Sequence, residues 1–197
     1  MTIAALVIGV LLTAMAFMVP PFYRAMTRRG EEPQVPARPE YVVRLTGIHA
    51  AEWGEGQVDT RKGQEFLPGQ SLKLQKGVAE LTFDSGARVV LQGPAVFEVR
   101  DANSGQLATG SLTAFAPQEA KGFSIFTPSA RVVDLGTEFG VEVAEDAASD
   151  VVVLDGEVEC FRRDAEGNEL GSVRLTKGQG ASVSADGSKL VKREEVG

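Results

Sequence analysis

The sequence is poor in the residues that build most enzyme and metal sites. Its 197 residues include one cysteine, Cys160, and one histidine, His49. A single cysteine excludes an internal disulfide, and these two residues cannot form a Cys/His zinc cluster. His49 has no acidic or serine neighbour that would indicate a nucleophilic triad, and glycine-rich phosphate loops are absent. We therefore predict no enzymatic activity, no catalytic residue, no metal and no cofactor.

Basic residues are also scarce beyond the amino terminus. Residues 1–39 hold four of the 20 Lys and Arg residues and two of the 27 Asp and Glu residues, so the rest has 16 basic and 25 acidic residues, a net charge of −9. Such a domain repels a phosphate backbone, which argues against nucleic-acid binding.

A long apolar run occupies residues 3–19, where Thr13 is the only polar residue and none is charged. As a helix it extends about 25 Å, near the lower limit for a bilayer, and Pro20-Pro21 ends it. We predict a transmembrane anchor over residues 1–23. The alternative is a cleaved signal peptide, because Ala14-Met15-Ala16 has the small-x-small pattern of a cleavage site.

Residues 24–40 form a basic and proline-rich linker, and residues 41–197 form the remaining domain. Arginines at 24, 28 and 29 follow the apolar run, and the positive-inside rule alone would place that domain in the cytoplasm.

The domain from residue 41 onward shows short alternating segments and no amphipathic helix of ten residues. About ten strands are predicted: 72–74 and 78–83, 87–91, 96–99, 111–115, 123–127, 139–143, 151–154, 158–161, 172–175 and 181–183. The fold class is all-β, either a two-sheet, jelly-roll-like sandwich or a short β-solenoid. Glycine precedes several of these strands, at positions 77, 93, 110, 140 and 156, which favours stacked coils with glycine at their corners.

Two acidic segments are the candidates for chemistry. Asp84-Ser85-Gly86 resembles the active loop of retropepsin-like proteases, in which two carboxylates share a proton; a β-turn between two strands is the simpler interpretation. Asp134 and Glu138 would lie about 13 Å apart on one strand face, too far for a carboxylate dyad. Asp134 is therefore expected to tie a turn or bulge through backbone bonds.

Together these motifs resemble the FecR domain family, in the variant common among planctomycete and verrucomicrobial members. The similar runs are residues 67–72, 77–87, 89–95, 123–128, 132–139, 153–158 and 177–180. The motif positions, expected to be structural, are Gly77, Asp84, Gly86, Gly93, Pro94, Thr127, Pro128, Asp134, Gly136, Thr137, Glu138, Phe139 and Gly156.

The resemblance implies the periplasmic domain of a transmembrane anti-sigma regulator, which relays iron-siderophore signals from an outer-membrane receptor. We follow it on topology and expect a single-pass protein of the cytoplasmic membrane with a periplasmic β domain. Only Met1 and Thr2 precede the apolar run. We therefore expect a misassigned start site with a sigma-binding region upstream, a sigma-binding part on a separate polypeptide, or a stand-alone anchored domain.

Three hypotheses follow for function. The leading one is an anchored FecR-like sensing module that binds a protein partner or ligand outside the membrane. The second is a structural or glycan-binding envelope domain without signalling output, and the third is a dimeric aspartic protease that uses Asp84.

Overall fold

The computed structural model of the chain describes residues 40–55 and 60–194, and it is almost entirely β-sheet. Its strands are β1 (Val43–Trp53), β2 (Glu65–Phe66), β3 (Ser71–Phe83), β4 (Arg88–Asp101), β5 (Ser104–Phe115), β6 (Ser124–Phe126), β7 (Ala130–Asp134), β8 (Glu138–Val143), β9 (Ser149–Asp155), β10 (Glu157–Arg163), β11 (Glu169–Thr176), β12 (Gly180–Val183) and β13 (Leu190–Arg193). One short 3-10 helix, Gln118–Ala120, interrupts the described strands. The predicted all-β class is confirmed.

The predicted anchor over residues 1–23 lies outside the described residues, as does the linker up to residue 39. Among the residues that the structure describes, no helix is long and apolar enough to span a membrane.

The sheet branches at β5. Its first residues, Ser104–Gln106, pair in parallel with β6, whereas Gly110–Phe115 pair antiparallel with β8. One arm continues from β5 through β6, β7 and β10 to β11, and the other continues through β8, β9 and β12 to β13. On the side of β5 away from the arms, β4, β3 and β1 follow in order.

Both arms contribute to one apolar core. Its centre includes three phenylalanines, with the Phe83 ring 4.9 Å from Phe123 and 6.4 Å from Phe97, both edge to face. Val132 and Cys160 reach this core from the first arm, and the second arm supplies valines of β8 and β9. Burial of these alternating side chains is the main stabilising contribution of the fold.

A crease crosses the long strands at their midpoints. The structure continues β3 through Gly77 and β4 through Gly93-Pro94, where the sequence analysis predicted separate strands. The pairing register shifts at these points, between Leu74 and Val78 on β3 and between Gln92 and Val96 on β4. Such bulges bend a sheet without ending its strands.

Glycine is required at the crease because neighbouring backbones touch there. A Cβ atom on Gly77 would lie 2.2 Å from the carbonyl oxygen of Ala50, and one on Gly110 would lie 2.2 Å from that of Pro94. On Gly93 it would lie 2.8 Å from the Cα of Lys76. These glycines therefore sit side by side in one largely antiparallel sheet, and the expected solenoid with glycine corners is not observed.

Four of the described strands were not predicted from the sequence: β1, β2, β7 and β13. The longest of them, β1, alternates only up to Leu45, and its remaining residues are half-buried or exposed. It is held by eight residue pairings with β3, which no local pattern reveals.

Candidate functional site

No constellation of reactive side chains is formed by residues 40–55 and 60–194. Within these ranges no group of three or more His, Cys, Asp or Glu residues could hold a metal ion. His49 is exposed on β1. Cys160 is fully buried, and burial raises the pKa of its thiol to about 12 because the thiolate would lose its hydration. This cysteine is a packed core side chain.

The Asp84-Ser85-Gly86 motif is the turn between β3 and β4. Gly86 donates its backbone N–H to the oxygen of Phe83 at 2.9 Å, and its φ of +91° suits glycine. The backbone N–H of Asp84 also donates to the oxygen of Val42 at 3.0 Å. The turn is thus fastened to the segment through which the chain enters the domain.

The Thr127-Pro128 motif forms the turn between β6 and β7 and is tied to the second arm by buried hydroxyls. Thr127 Oγ1 accepts the N–H of Ala130 at 2.8 Å. The Ser149 hydroxyl of β9 donates to Thr127 Oγ1 at 2.8 Å and lies 2.8 Å from the Ser129 hydroxyl. Since buried hydroxyls need partners, the three side chains hold the arms in one relative position.

Asp134 is a buried carboxylate at the end of β7. It has no exposed surface, and its Oδ2 accepts the N–H of Gly136 at 2.8 Å. Its Oδ1 is buried and has no hydrogen-bond partner. The chain turns after Asp134, so Glu138 begins β8 and the two acids do not share a strand.

Burial raises the pKa of Asp134 to about 6, because the ionised carboxylate loses water without full replacement. The backbone N–H groups of Gly136 and Thr137 oppose this shift, and the charge of Lys121 opposes it further. The ionised carboxylate of Asp134 therefore destabilises the folded state at neutral pH.

The turn after Asp134 packs against the turn that contains Gly156. Thr137 donates its hydroxyl to the oxygen of Glu157 at 3.2 Å, and the Leu135 N–H donates to the same oxygen at 3.1 Å. A Cβ atom on Gly156 would lie 2.5 Å from the oxygen of Gly136. These two turns link β7 to β8 and β9 to β10, so the contact joins the two arms.

The motif residues are therefore distributed over separate turns and the crease. Gly77, Gly93 and Pro94 lie on the crease, and Phe139 is in the core. Glu138 is exposed. The structure brings together the turn that holds Asp134 and Thr137 and the turn that holds Gly156.

One surface cluster was missed in the sequence. Three arginines converge on Phe126: the guanidinium carbons of Arg100, Arg163 and Arg131 lie 4.0, 5.3 and 6.0 Å from its ring centroid. Arg131 also lies 4.5 Å from the ring centroid of Phe161. We call these five residues the Arg–Phe cluster. They come from four strands far apart in sequence, and only the pairing register could have revealed them.

Two shallow depressions accompany these features. One, of about 240 Å³, is bordered by Tyr41, Arg44 and Asp84. The other, of about 350 Å³, lies on the second arm above Gly140, where Glu142 and Asp150 line it. Both hold a mixture of polar and apolar side chains, and neither collects the motif residues.

Comparison with known proteins assigns the class of domain. Residues 71–159 match the family model described as FecR protein, and all the motif positions named above fall within that segment. This segment therefore matches a FecR domain, which confirms the resemblance seen in the motifs. A comparison with curated proteins found no match.

The fold is also similar to two crystal structures of a "putative anti-sigma factor" from Parabacteroides distasonis ATCC 8503, at 2.50 Å and 1.65 Å resolution. Each has a TM-score of 0.53 and 20% sequence identity. The similarity covers 64% of this chain and 60% of the other, so the chain spans less than two thirds of the length of that relative.

Proposed function

We propose that the chain is a membrane-anchored FecR-type sensing module whose β domain binds a protein partner outside the cytoplasmic membrane. The observation that carries this proposal is the FecR match over residues 71–159, behind an apolar run of 17 uncharged residues at 3–19. The module is not an enzyme in this proposal, and regulation of a sigma factor would pass through another region or polypeptide.

The way in which the chain enters the domain supports a role in transmitting a mechanical or positional signal. Val42 donates its N–H to Phe66 at 3.0 Å and accepts the N–H of Asp84 at 3.0 Å. Val43 and Leu45 are buried directly after it. A partner that displaces the β domain would therefore displace residue 42 with it, and through it the linker that we propose for residues 24–40.

The fold also offers edges to which a partner could bind. Within the described ranges, β11 pairs only with β10 and β13 only with β12. Backbone groups on such edges can receive a partner strand. Strand β11 has eight residues, most of them exposed, whereas β13 has four.

In-cell photo-crosslinking of the full chain tests the proposal. A photoreactive amino acid replaces Ser172, which is exposed on β11, and a matched probe replaces Glu145 in the turn between β8 and β9. We expect a crosslink to one envelope receptor or regulator from position 172. Deletion of that partner should change transcription from a sigma-dependent promoter. A partner whose loss leaves transcription unchanged would favour a structural envelope role instead.

A further inference from the structure

Most of the Arg–Phe cluster lies on the outer face of the first arm, and Arg100 reaches it from β4. Phe161, Arg131 and Phe126 form a row of side chains across the strands. The pairing register sets Phe161 opposite Arg131, Arg131 opposite Phe126, and Phe126 opposite Gln106. Cys160 and Val132, which precede Phe161 and follow Arg131 on their strands, point into the core from the opposite face. From β4 to β10 the cluster spans four strand spacings of one sheet, about 19 Å at the usual spacing.

The positive charges of the cluster are only partly compensated. Arg131 forms an ion pair with Glu169, with Nε 2.6 Å from Oε1. In the part of the chain that the structure describes, Arg100 and Arg163 have no carboxylate oxygen within 4.0 Å. Arg100 donates to the neutral Gln106 at 3.4 Å, and Arg163 donates to the oxygens of Gly167 and Thr127.

Mutual repulsion within the cluster is visible in its electrostatics. Burial lowers the pKa of Arg163, and the neighbouring charges of Arg100 and Arg131 lower it further, while the carboxylates of Glu169 and Asp164 oppose this shift. An anion that binds between these guanidinium groups relieves the repulsion between their like charges. Guanidinium groups stacked on aromatic rings keep their in-plane N–H donors free for carboxylates.

The surroundings limit how large that anion can be. Glu98 lies opposite Gln106 at one end of the row, and Glu159 precedes Phe161 on the same face of β10. A long polyanion such as a nucleic acid or a sulfated glycan would meet these carboxylates as well as the net charge of −9 of the domain. A short segment with two acidic side chains can end before these carboxylates, and it carries fewer charges for the domain to repel.

We propose that the Arg–Phe cluster binds an acidic peptide segment of a protein partner, with one carboxylate between Arg100 and Arg163 and a second beside Arg131. The guanidinium carbons of Arg100 and Arg163 lie at most 9.3 Å apart, and those of Arg100 and Arg131 at most 10.0 Å, because all are measured from one ring centroid. Acidic side chains at alternate positions of an extended peptide are about 7 Å apart, so the second carboxylate can reach Arg131 within this bound. The inference rests on the proposed partner-binding function and names its surface.

The test measures fluorescence anisotropy with the full chain in detergent micelles at low salt. The probe is a labelled hexapeptide of alternating valine and glutamate, and its glutamine version is the control ligand. We expect the glutamate peptide alone to bind and to weaken with added salt. The double variant Arg100→Gln/Arg163→Gln should lose about tenfold or more in affinity. Arg88→Gln is the matched control, because Arg88 stacks singly on Phe115 at 4.9 Å and should change nothing.

A second variant should change the peptide affinity in the opposite direction, and its result does not depend on whether the double variant folds. Glu169→Gln removes the carboxylate that competes for Arg131, so peptide affinity should rise, by about twofold to fivefold. Unchanged or weaker binding by Glu169→Gln would overturn the proposal, as would equal loss in Arg88→Gln.

Other anions are tested in parallel. Tighter binding of a heparin-derived hexasaccharide, or of phosphatidylglycerol vesicles, would replace the peptide assignment. The double variant is also tested in the crosslinking experiment at position 172. If it recovers the same partner in equal amount, the Arg–Phe cluster is not the binding surface, while the proposed function stands.

Discussion

Replacement of Asp134 by asparagine should abolish one defined component of the pH dependence of stability. The carboxyl has a pKa of 3.8 in a model peptide and about 6 in the fold, so the folded state holds its proton more tightly than the unfolded state. The group therefore costs nothing below about pH 4, its cost grows as the pH rises through 6, and above that the cost is complete. A shift of this size corresponds to about 3 kcal/mol.

The amide of Asp134→Asn carries no charge, and its oxygen can still accept the N–H of Gly136. Relative to the parent chain, the variant should thus gain about 3 kcal/mol between pH 4 and pH 8. Urea denaturation of both proteins across this range measures the difference, and contributions of all other groups cancel in it. Glu145→Gln, which removes one exposed charge in another turn, is the control. A variant whose relative stability is equal at pH 4 and pH 8 would refute the argument from burial.

Three further predictions concern the crease, the hydroxyl cluster and the thiol. Gly110→Ala should lower the free energy of unfolding by roughly 2–5 kcal/mol, because the new Cβ atom would clash with the backbone of a neighbouring strand. Gly63→Ala is the control, since the space around Gly63 is open, and it should lower the free energy of unfolding by only roughly 1–2 kcal/mol. Equal losses in urea denaturation would contradict the close approach at Gly110. Ser149→Ala should cost about 1–3 kcal/mol by leaving two buried hydroxyls without their shared partner, and a neutral result in the same assay would contradict the network. The Cys160 thiol should react with a maleimide only at urea concentrations that unfold the domain, so labelling of the native protein would show that the core around it opens.

Local alternation was enough to predict the all-β class and at least part of nine of the thirteen described strands. The buried side chains of β4, β9 and β10 recur at every second position, and this is the signal of a half-buried strand. The glycines at 77, 93 and 110 were correctly predicted to be related, but the prediction that they form the corners of stacked coils was wrong. Only the pairing of β3, β4 and β5 shows that they meet in one crease rather than at successive corners.

The turns at Asp84 and Asp134 could be predicted from the sequence, whereas the Arg–Phe cluster on the surface could not. Asp84 and Asp134 lie in turns, as their neighbours in sequence indicated. In contrast, the Arg–Phe cluster brings Arg100 next to Arg163, 63 positions later in the chain. Such a cluster depends on the order of strands, with β6 and β7 inserted between β5 and β10, and that order is not a local property of the sequence.

The claim that the β domain works outside the cytoplasmic membrane is tested most directly by labelling intact cells. Because Cys160 is the only cysteine and is fully buried, Glu145→Cys introduces one accessible thiol in an exposed turn. A membrane-impermeant maleimide should label this variant in intact spheroplasts and leave the parent chain unlabelled. Labelling that appears only after the spheroplasts are lysed would place the domain in the cytoplasm and contradict the proposed function.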